Sequence, residues 1–93
     1  VCVGSTSVRT LETMAAKYGK YAIACSGRSS LFIREPYHFV FTDAMITNFH
    51  LPESTLLMMV AALAGHNFTL DSYRDAVKKG YRFFSYGDCM LIL

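Results

Sequence analysis

The stretch from Leu56 to Ala64 holds no polar or charged side chain, and it limits the fold more than any other part of the chain. Pro52 ahead of it fits the first position of a helix, where a missing N–H is harmless, and Gly65 behind it fits the stop. The run is far shorter than the roughly 20 residues that a membrane span requires. A helix that is apolar on every side has to be buried on all faces. Met58 and Met59 are therefore read as core, and the rest of the chain has to wrap around this helix.

The surrounding segments alternate between strand and helix signals. Val1-Cys2-Val3 is a short strand that meets Gly4-Ser5-Thr6-Ser7. Val8, Leu11, Ala15 and Tyr18 then recur at helical spacing, with Arg9, Glu12 and Lys17 off the stripe. Ser5, Thr6 or Ser7 is expected to cap that helix and Gly19 to end it. Residues 21–30 read as loop with at most one strand. Leu31-Phe32-Ile33, closed by Pro36, is expected as a strand, as are Phe39-Val40-Phe41 and Ala44-Met45-Ile46. Thr69 is expected to cap a last helix reaching Lys79, with Leu70, Tyr73 and Val77 on one face and Asp75 paired to Lys79. Tyr81-Arg82-Phe83-Phe84 and Met90-Leu91-Ile92-Leu93 read as closing strands around Ser85-Tyr86-Gly87-Asp88. About three helices alternating with strands predict an α/β fold with parallel strands.

Composition narrows the classes further. The chain is 53% hydrophobic and 17% charged, against roughly a quarter charged in ordinary domains. Part of its apolar surface is thus expected to pack on protein outside these 93 residues, or on another copy of the chain. Val1 stands where Met would begin a protein, in a strand already under way. Residues 1–93 are accordingly read as a single fragment of a larger protein. A net charge of +2 is too small for nucleic-acid binding by charge alone. Cys2, Cys25 and Cys89 are odd in number and lack metal or redox spacing, so they read as reduced thiols of a cytoplasmic protein. No metal site and no membrane segment is expected.

Three segments carry residues suited to chemistry. Ser5, Thr6 and Ser7, with Arg9 in the same turn, offer N–H groups, hydroxyls and a cation to a carboxylate or phosphate. The alternative is a capping turn with Arg9 paired to Glu12. In Thr47-Asn48-Phe49-His50-Leu51-Pro52, Asn48 and His50 follow a strand, where α/β sheets gather ligands. Imidazole suits proton transfer and an amide suits a hydroxyl or base edge. The alternative is a polar structural loop. His38 and His66 lack such company and are placed on the surface. Arg82, Tyr86 and Asp88 sit among aromatic residues that suit a purine and its ribose. The alternative is an edge strand that buries Phe83 or Phe84, with an Arg82–Asp88 ion pair. Taken singly, none of the three identifies a function.

Together they resemble one family. Gly4-Ser5-Thr6-Ser7-Val8-Arg9-Thr10-Leu11-Glu12 is similar to the Gly-Thr-Thr-Ser-x-Arg-x-Leu-Glu element of the S-adenosylmethionine:tRNA ribosyltransferase-isomerases of queuosine synthesis. Ile46 to Pro52 with Ser54-Thr55-Leu56-Leu57-Met58 resembles that family's most recognisable block. Tyr81 to Asp88 with Met90-Leu91-Ile92 resembles its closing block. The resemblance covers essentially the whole chain, in order and spacing. There are departures: Glu35-Pro36-Tyr37 replaces a usual Pro-Gly-Tyr, Ser29-Ser30 a common Thr-Asp, and Glu53 a frequent Lys beside the main block.

The resemblance implies a fold and a reaction. The fragment would be the C-terminal portion of the family's α/β domain, with the second, β-barrel-like domain and the N-terminal part of the protein lying outside it. The family moves the ribosyl part of S-adenosylmethionine onto 7-aminomethyl-7-deazaguanine at the tRNA wobble position. It rearranges the ribose to give epoxyqueuosine and releases adenine and methionine. S-adenosylmethionine is then a co-substrate rather than a permanently bound cofactor, and the anticodon loop of tRNA is the partner. His50 is assigned proton transfer, Asn48 the orientation of ribose or deazaguanine, and Arg82, Tyr86 and Asp88 a grip on adenine, ribose or the methionine carboxylate. Ser5, Thr6, Ser7 and Arg9 are assigned a carboxylate or a tRNA phosphate. The isolated fragment is expected to be inactive. Two other readings stand beside this one: a stand-alone nucleotide- or RNA-binding module, and an inactive remnant held together by self-association.

Overall fold

The computed structural model describes residues 1–19, 24–50 and 54–93. In chain order it contains β1 (Cys2–Val3), α1 (Ser5–Tyr18), β2 (Met45–Asn48), α2 (Thr55–Ala64), α3 (His66–Lys78) and β3 (Cys89–Ile92). The strands form one sheet in the order β1-β2-β3. β1 runs parallel to β2, with Cys2 opposite Met45 and Val3 opposite Ile46. β3 runs antiparallel to β2, from Met45 opposite Ile92 to Asn48 opposite Cys89. The α/β class is as expected, but only one of the two strand pairings is parallel. One helix between strands returns the chain for a parallel pair. Two helices, α2 and α3, separate β2 from β3, so the chain enters β3 from the opposite end.

The core lies on one face of this sheet. Cys2, Met45 and Ile92 share a register row and pack with Val8 of α1, Ile33, and Met59 and Val60 of α2. The adjacent row, Val3, Ile46 and Leu91, points to the other face because strand side chains alternate. There Val3 is 69% exposed and Leu91 57% exposed.

Helix boundaries depart from expectation where glycine and hydroxyl residues compete for the cap. α1 begins at Ser5 with Gly4 as its cap at φ 92, and no side chain caps it. Ser5, Thr6 and Ser7 thus occupy the first turn instead of preceding it. The Gly4 N–H donates to the Ile46 carbonyl at 2.7 Å, which fastens the helix entrance to β2. α3 begins three residues before Thr69, because Gly65, at φ 98, both closes α2 and opens α3. Thr69 is inside the helix, its N–H donating to the Gly65 carbonyl at 3.0 Å. α2 is capped by Ser54, whose hydroxyl accepts from the Leu57 N–H at 3.1 Å. Pro52, the expected first residue of that helix, lies outside the described residues. Leu57, Met59, Val60 and Ala61 are buried, whereas Met58 is 40% exposed, so α2 is not covered on all sides.

Three expected strands are extended or turning loop instead. Leu31-Phe32-Ile33 drops Ile33 into the core without joining the sheet. Tyr81-Arg82-Phe83-Phe84 belongs to a turn: Phe84 has φ 68, and the Arg82 N–H donates to the Asp88 carboxylate at 2.7 Å. Phe39-Val40-Phe41 is held by a side chain. Glu12, fully buried in α1, accepts from the N–H groups of Val40 at 2.7 Å, Phe41 at 2.8 Å and Thr42 at 3.1 Å. The hydroxyls of Thr42, at 3.3 Å, and Tyr37, at 3.5 Å, complete the set. Backbone donors occupied by a carboxyl group are not available to a sheet. The same contacts replace the Arg9–Glu12 pair of the alternative reading.

Replacing Glu12 with Ala is expected to lower unfolding free energy by about 3 kcal/mol or more, since each buried donor left unpaired costs about 1–3 kcal/mol. Glu12→Gln retains one acceptor and should lose less. Urea titration of the three proteins followed by circular dichroism checks this, and an unchanged midpoint for Glu12→Ala would contradict it.

Candidate functional site at the carboxyl end of the central strand

The three segments singled out in the sequence meet at one end of β2. The parallel register sets the α1 entrance beside Thr47 and Asn48, and the Gly4–Ile46 bond holds it there. On the other side, the Asn48 side-chain NH₂ donates to the Asp88 carbonyl at 3.2 Å and approaches the Gly87 carbonyl at 3.5 Å. The Phe84 N–H donates to the Phe49 carbonyl at 3.0 Å. Residues 81–88 are therefore laced to residues 48–49.

His50 is fixed at two points. Its Nε2 lies 2.8 Å from the Thr47 hydroxyl, and its backbone N–H donates to the Tyr73 hydroxyl at 3.0 Å. Burial pushes the imidazole pKa below its ordinary value, favouring the neutral ring that a proton acceptor needs. Burial also raises the Tyr73 phenol, against the opposing effect of its bond from the His50 N–H. Phe49, between Asn48 and His50, points the other way into an aromatic cluster. Its ring stacks on Phe83 at 5.0 Å and meets Tyr73 edge-on at 5.2 Å and Tyr81 at 5.8 Å. Strand alternation thus leaves Asn48 and His50 at the polar rim, while Phe49 anchors the loop from beneath.

The 81–88 turn is built around Asp88. Its carboxylate takes the Arg82 N–H, its own N–H returns to the Arg82 carbonyl at 2.8 Å, and the Arg82 Nε lies 3.9 Å away. Gly87 has no room for a side chain, because a Cβ there would lie 2.6 Å from the Phe83 carbonyl oxygen. Tyr86, at φ 65, is fully exposed. Asp88 is committed to shaping the turn and pairs with the Arg82 guanidinium, which like Tyr86 is largely exposed.

At the α1 entrance, Ser5, Thr6 and Arg9 border a depression of about 140 Å³ together with Thr10, Ser29 and Leu56. The Arg9 Nε is buried and has no hydrogen-bond partner among the described residues. Ser7 is exposed and does not line the depression. A larger apolar groove, about 420 Å³, runs between α2, α3 and β3 and includes Phe49, Phe68, Tyr73, Leu91 and Leu93. His38 and His66 are exposed, as expected. The Asp75–Lys79 pair forms at 3.0 Å. No helix among the described residues is long and apolar enough to cross a membrane, and no group of three or more His, Cys, Asp or Glu among them could hold a metal.

Sequence reasoning did not assign Thr47 and Tyr73 to the site. Thr47 carried a local signal, three residues before His50. Tyr73 carried none, because only the packing of α3 brings its hydroxyl to residue 50.

The depressed His50 pKa sets a pH dependence. The unfolded imidazole takes a proton near its ordinary 6.5 and the folded one only at lower pH. Its contribution to stability is therefore complete above that value and is lost as pH falls from there through the lower, folded-state pKa. Thermal midpoints of the wild type should drop across this window, and those of His50→Asn should drop less. Parallel pH curves would refute the burial effect.

Comparison with known proteins agrees with the geometry. A family model described as Queuosine biosynthesis protein matches residues 1–92. An S-adenosylmethionine:tRNA ribosyltransferase-isomerase of Thermotoga petrophila is 57% identical over all of this chain, which spans 27% of that protein. A protein of the same name from Symbiobacterium thermophilum is 56% identical, again with 27% of its length covered. The crystal structure of S-adenosylmethionine tRNA ribosyltransferase from Thermotoga maritima superposes with a TM-score of 0.85 at 53% identity, over 98% of this chain and 32% of that one. The chain thus spans about a quarter to a third of the relatives it matches, and across nearly all of its own length it belongs to the queuosine biosynthesis protein family.

Proposed function

We propose that this chain is the C-terminal part of the α/β domain of an S-adenosylmethionine:tRNA ribosyltransferase-isomerase and supplies one wall of its active site. The observation that carries this reading is the convergence of the three family-like segments at the carboxyl end of β2, with His50 and Asn48 at the rim. S-adenosylmethionine is the ribosyl donor and is consumed, and the tRNA anticodon loop is the acceptor. Both are engaged by the whole protein, in the cytoplasm.

The residues divide the work by chemistry. His50, neutral and partly buried, takes a proton from the carbon beside the sulfonium or from the incoming amine. Asn48 donates its amide hydrogens to the 87–88 backbone; its carbonyl oxygen is the acceptor offered to a ribose hydroxyl or a base edge. Tyr86 and Arg82 present a ring and a planar cation to adenine or the methionine carboxylate. Asp88 acts mainly by fixing the turn that carries them. Ser5, Thr6 and Arg9 receive a carboxylate or phosphate, with Ser7 at the exposed edge. The row Val3, Ile46 and Leu91 is where the remainder of the polypeptide packs, because an α/β sheet is ordinarily covered on both faces.

The test is a chimaera in which these 93 residues replace the matching segment of the Thermotoga maritima relative, assayed for adenine release from S-adenosylmethionine in the presence of tRNA. The chimaera should turn over, and the 93-residue chain alone should not. His50→Ala should reduce turnover by about 10²–10⁴-fold, the usual contribution of a positioned acid or base, with S-adenosylmethionine binding largely kept. Near-normal turnover of His50→Ala would remove His50 from the chemistry. An inactive chimaera would overturn the proposed function itself.

A further inference from the structure

We propose that Thr47 and Tyr73 are positioning residues for His50: Thr47 holds the ring as the Nε2–H tautomer, so that Nδ1 is the ring nitrogen that accepts the proton, and Tyr73 holds the backbone that carries the ring. This rests on the proposed proton-transfer role of His50. Thr47 and Tyr73 are both buried, and each offers a single hydroxyl to the same residue, one to the ring and one to the backbone.

The geometry limits what the ring can do. With Nε2 at 2.8 Å from a buried hydroxyl, that nitrogen is already engaged and faces the sheet. Nδ1 makes no hydrogen bond among the described residues, and the ring is only partly buried. A neutral imidazole carries one N–H and one lone pair, and the partner of one nitrogen fixes the role of the other. If Nε2 carries the hydrogen, the Thr47 oxygen accepts it and the Nδ1 lone pair is free to take a proton. If instead Thr47 donates to Nε2, Nδ1 carries the hydrogen and His50 is a donor, unable to act as a base.

Tyr73 fixes the other rotational freedom. Its hydroxyl accepts the His50 N–H, and its ring is wedged edge-on against Phe49, in a cluster with Leu57 of α2 and Ala76 of α3. α3 thereby sets the path of the chain as it leaves β2. Misplacing a catalytic group by about 1 Å can cost about 10²-fold in rate.

Two measurements test this. Imidazole ¹⁵N chemical shifts of the 93-residue chain, with His50 assigned by comparison with His50→Asn, should report hydrogen on Nε2. In Thr47→Val the signal should move toward an average of the two tautomers. Hydrogen on Nδ1 in the wild type would overturn the proposal. In the chimaera, Thr47→Val and Tyr73→Phe should each lower kcat by up to about 10²-fold with KM for S-adenosylmethionine nearly unchanged. Both should also shift the acidic limb of the pH profile, and Thr47→Ser should restore most of the activity. Equal losses in Thr47→Ser and Thr47→Val, or an unmoved acidic limb, would reduce Thr47 to a packing role. Loss of turnover in His50→Ala with no effect of these variants would refute the positioning roles alone. Full turnover in His50→Ala would refute the reading they rest on.

Discussion

The carboxyl group of Glu12 is the interaction on which the rest of this structure depends. It is wholly enclosed, and it replaces a stretch of sheet by gathering three consecutive N–H groups and two hydroxyls onto one side chain. No cation among the described residues offsets it. An enclosed carboxyl group without donors would be costly enough to unfold a small domain. The loop therefore has to close on α1 whenever α1 docks on the sheet, and that closure delivers residue 45 to the start of the central strand beside β1.

From there the site follows by short steps. β2 is only four residues long, and its end is held by α1 on one side and the 81–88 turn on the other. The polar groups at that end do not float on a flexible loop. Asn48 is bound to the turn, His50 to Thr47 and Tyr73, and Phe49 is locked among Tyr73, Tyr81 and Phe83. Such a site is preorganised: its groups are oriented before a substrate arrives, so less ordering is demanded during reaction. The same arrangement explains why Asp88 and Gly87 matter although neither need touch a substrate. One is consumed in shaping the turn and the other leaves it room.

The chain's apolar surface is uneven. The core face of the sheet is filled by Val8, Ile33, Met59 and Val60, but the opposite row keeps apolar side chains open. The groove beside β3 adds Phe68 and Leu93 to that open apolar surface. A charged fraction of 17% accords with that open apolar face, since the cores of protein contacts are depleted in charged residues. The relatives are three to four times as long as the matched segment.

What could be read from the sequence was what local pattern encodes. The spacing of Val8, Leu11 and Ala15 specified α1, the apolar run to Ala64 specified α2, Gly19 and Gly65 specified helix ends, and the three motif blocks identified the family. The sequence by itself thus determined the α/β class, the family and the segments that form the candidate site. Tertiary structure decided the rest. It turned Phe39-Val40-Phe41 from strand to loop, because Glu12 took donors that propensity assigned to a sheet. It reversed β3, because α2 and α3 make two passes. It also chose the partners of His50, since a hydroxyl 23 residues away in sequence comes into reach only when α3 packs under Phe49. Short-range pattern fixes which segments are helical or apolar; hydrogen bonds between distant residues are settled only when those segments compete for the same buried space.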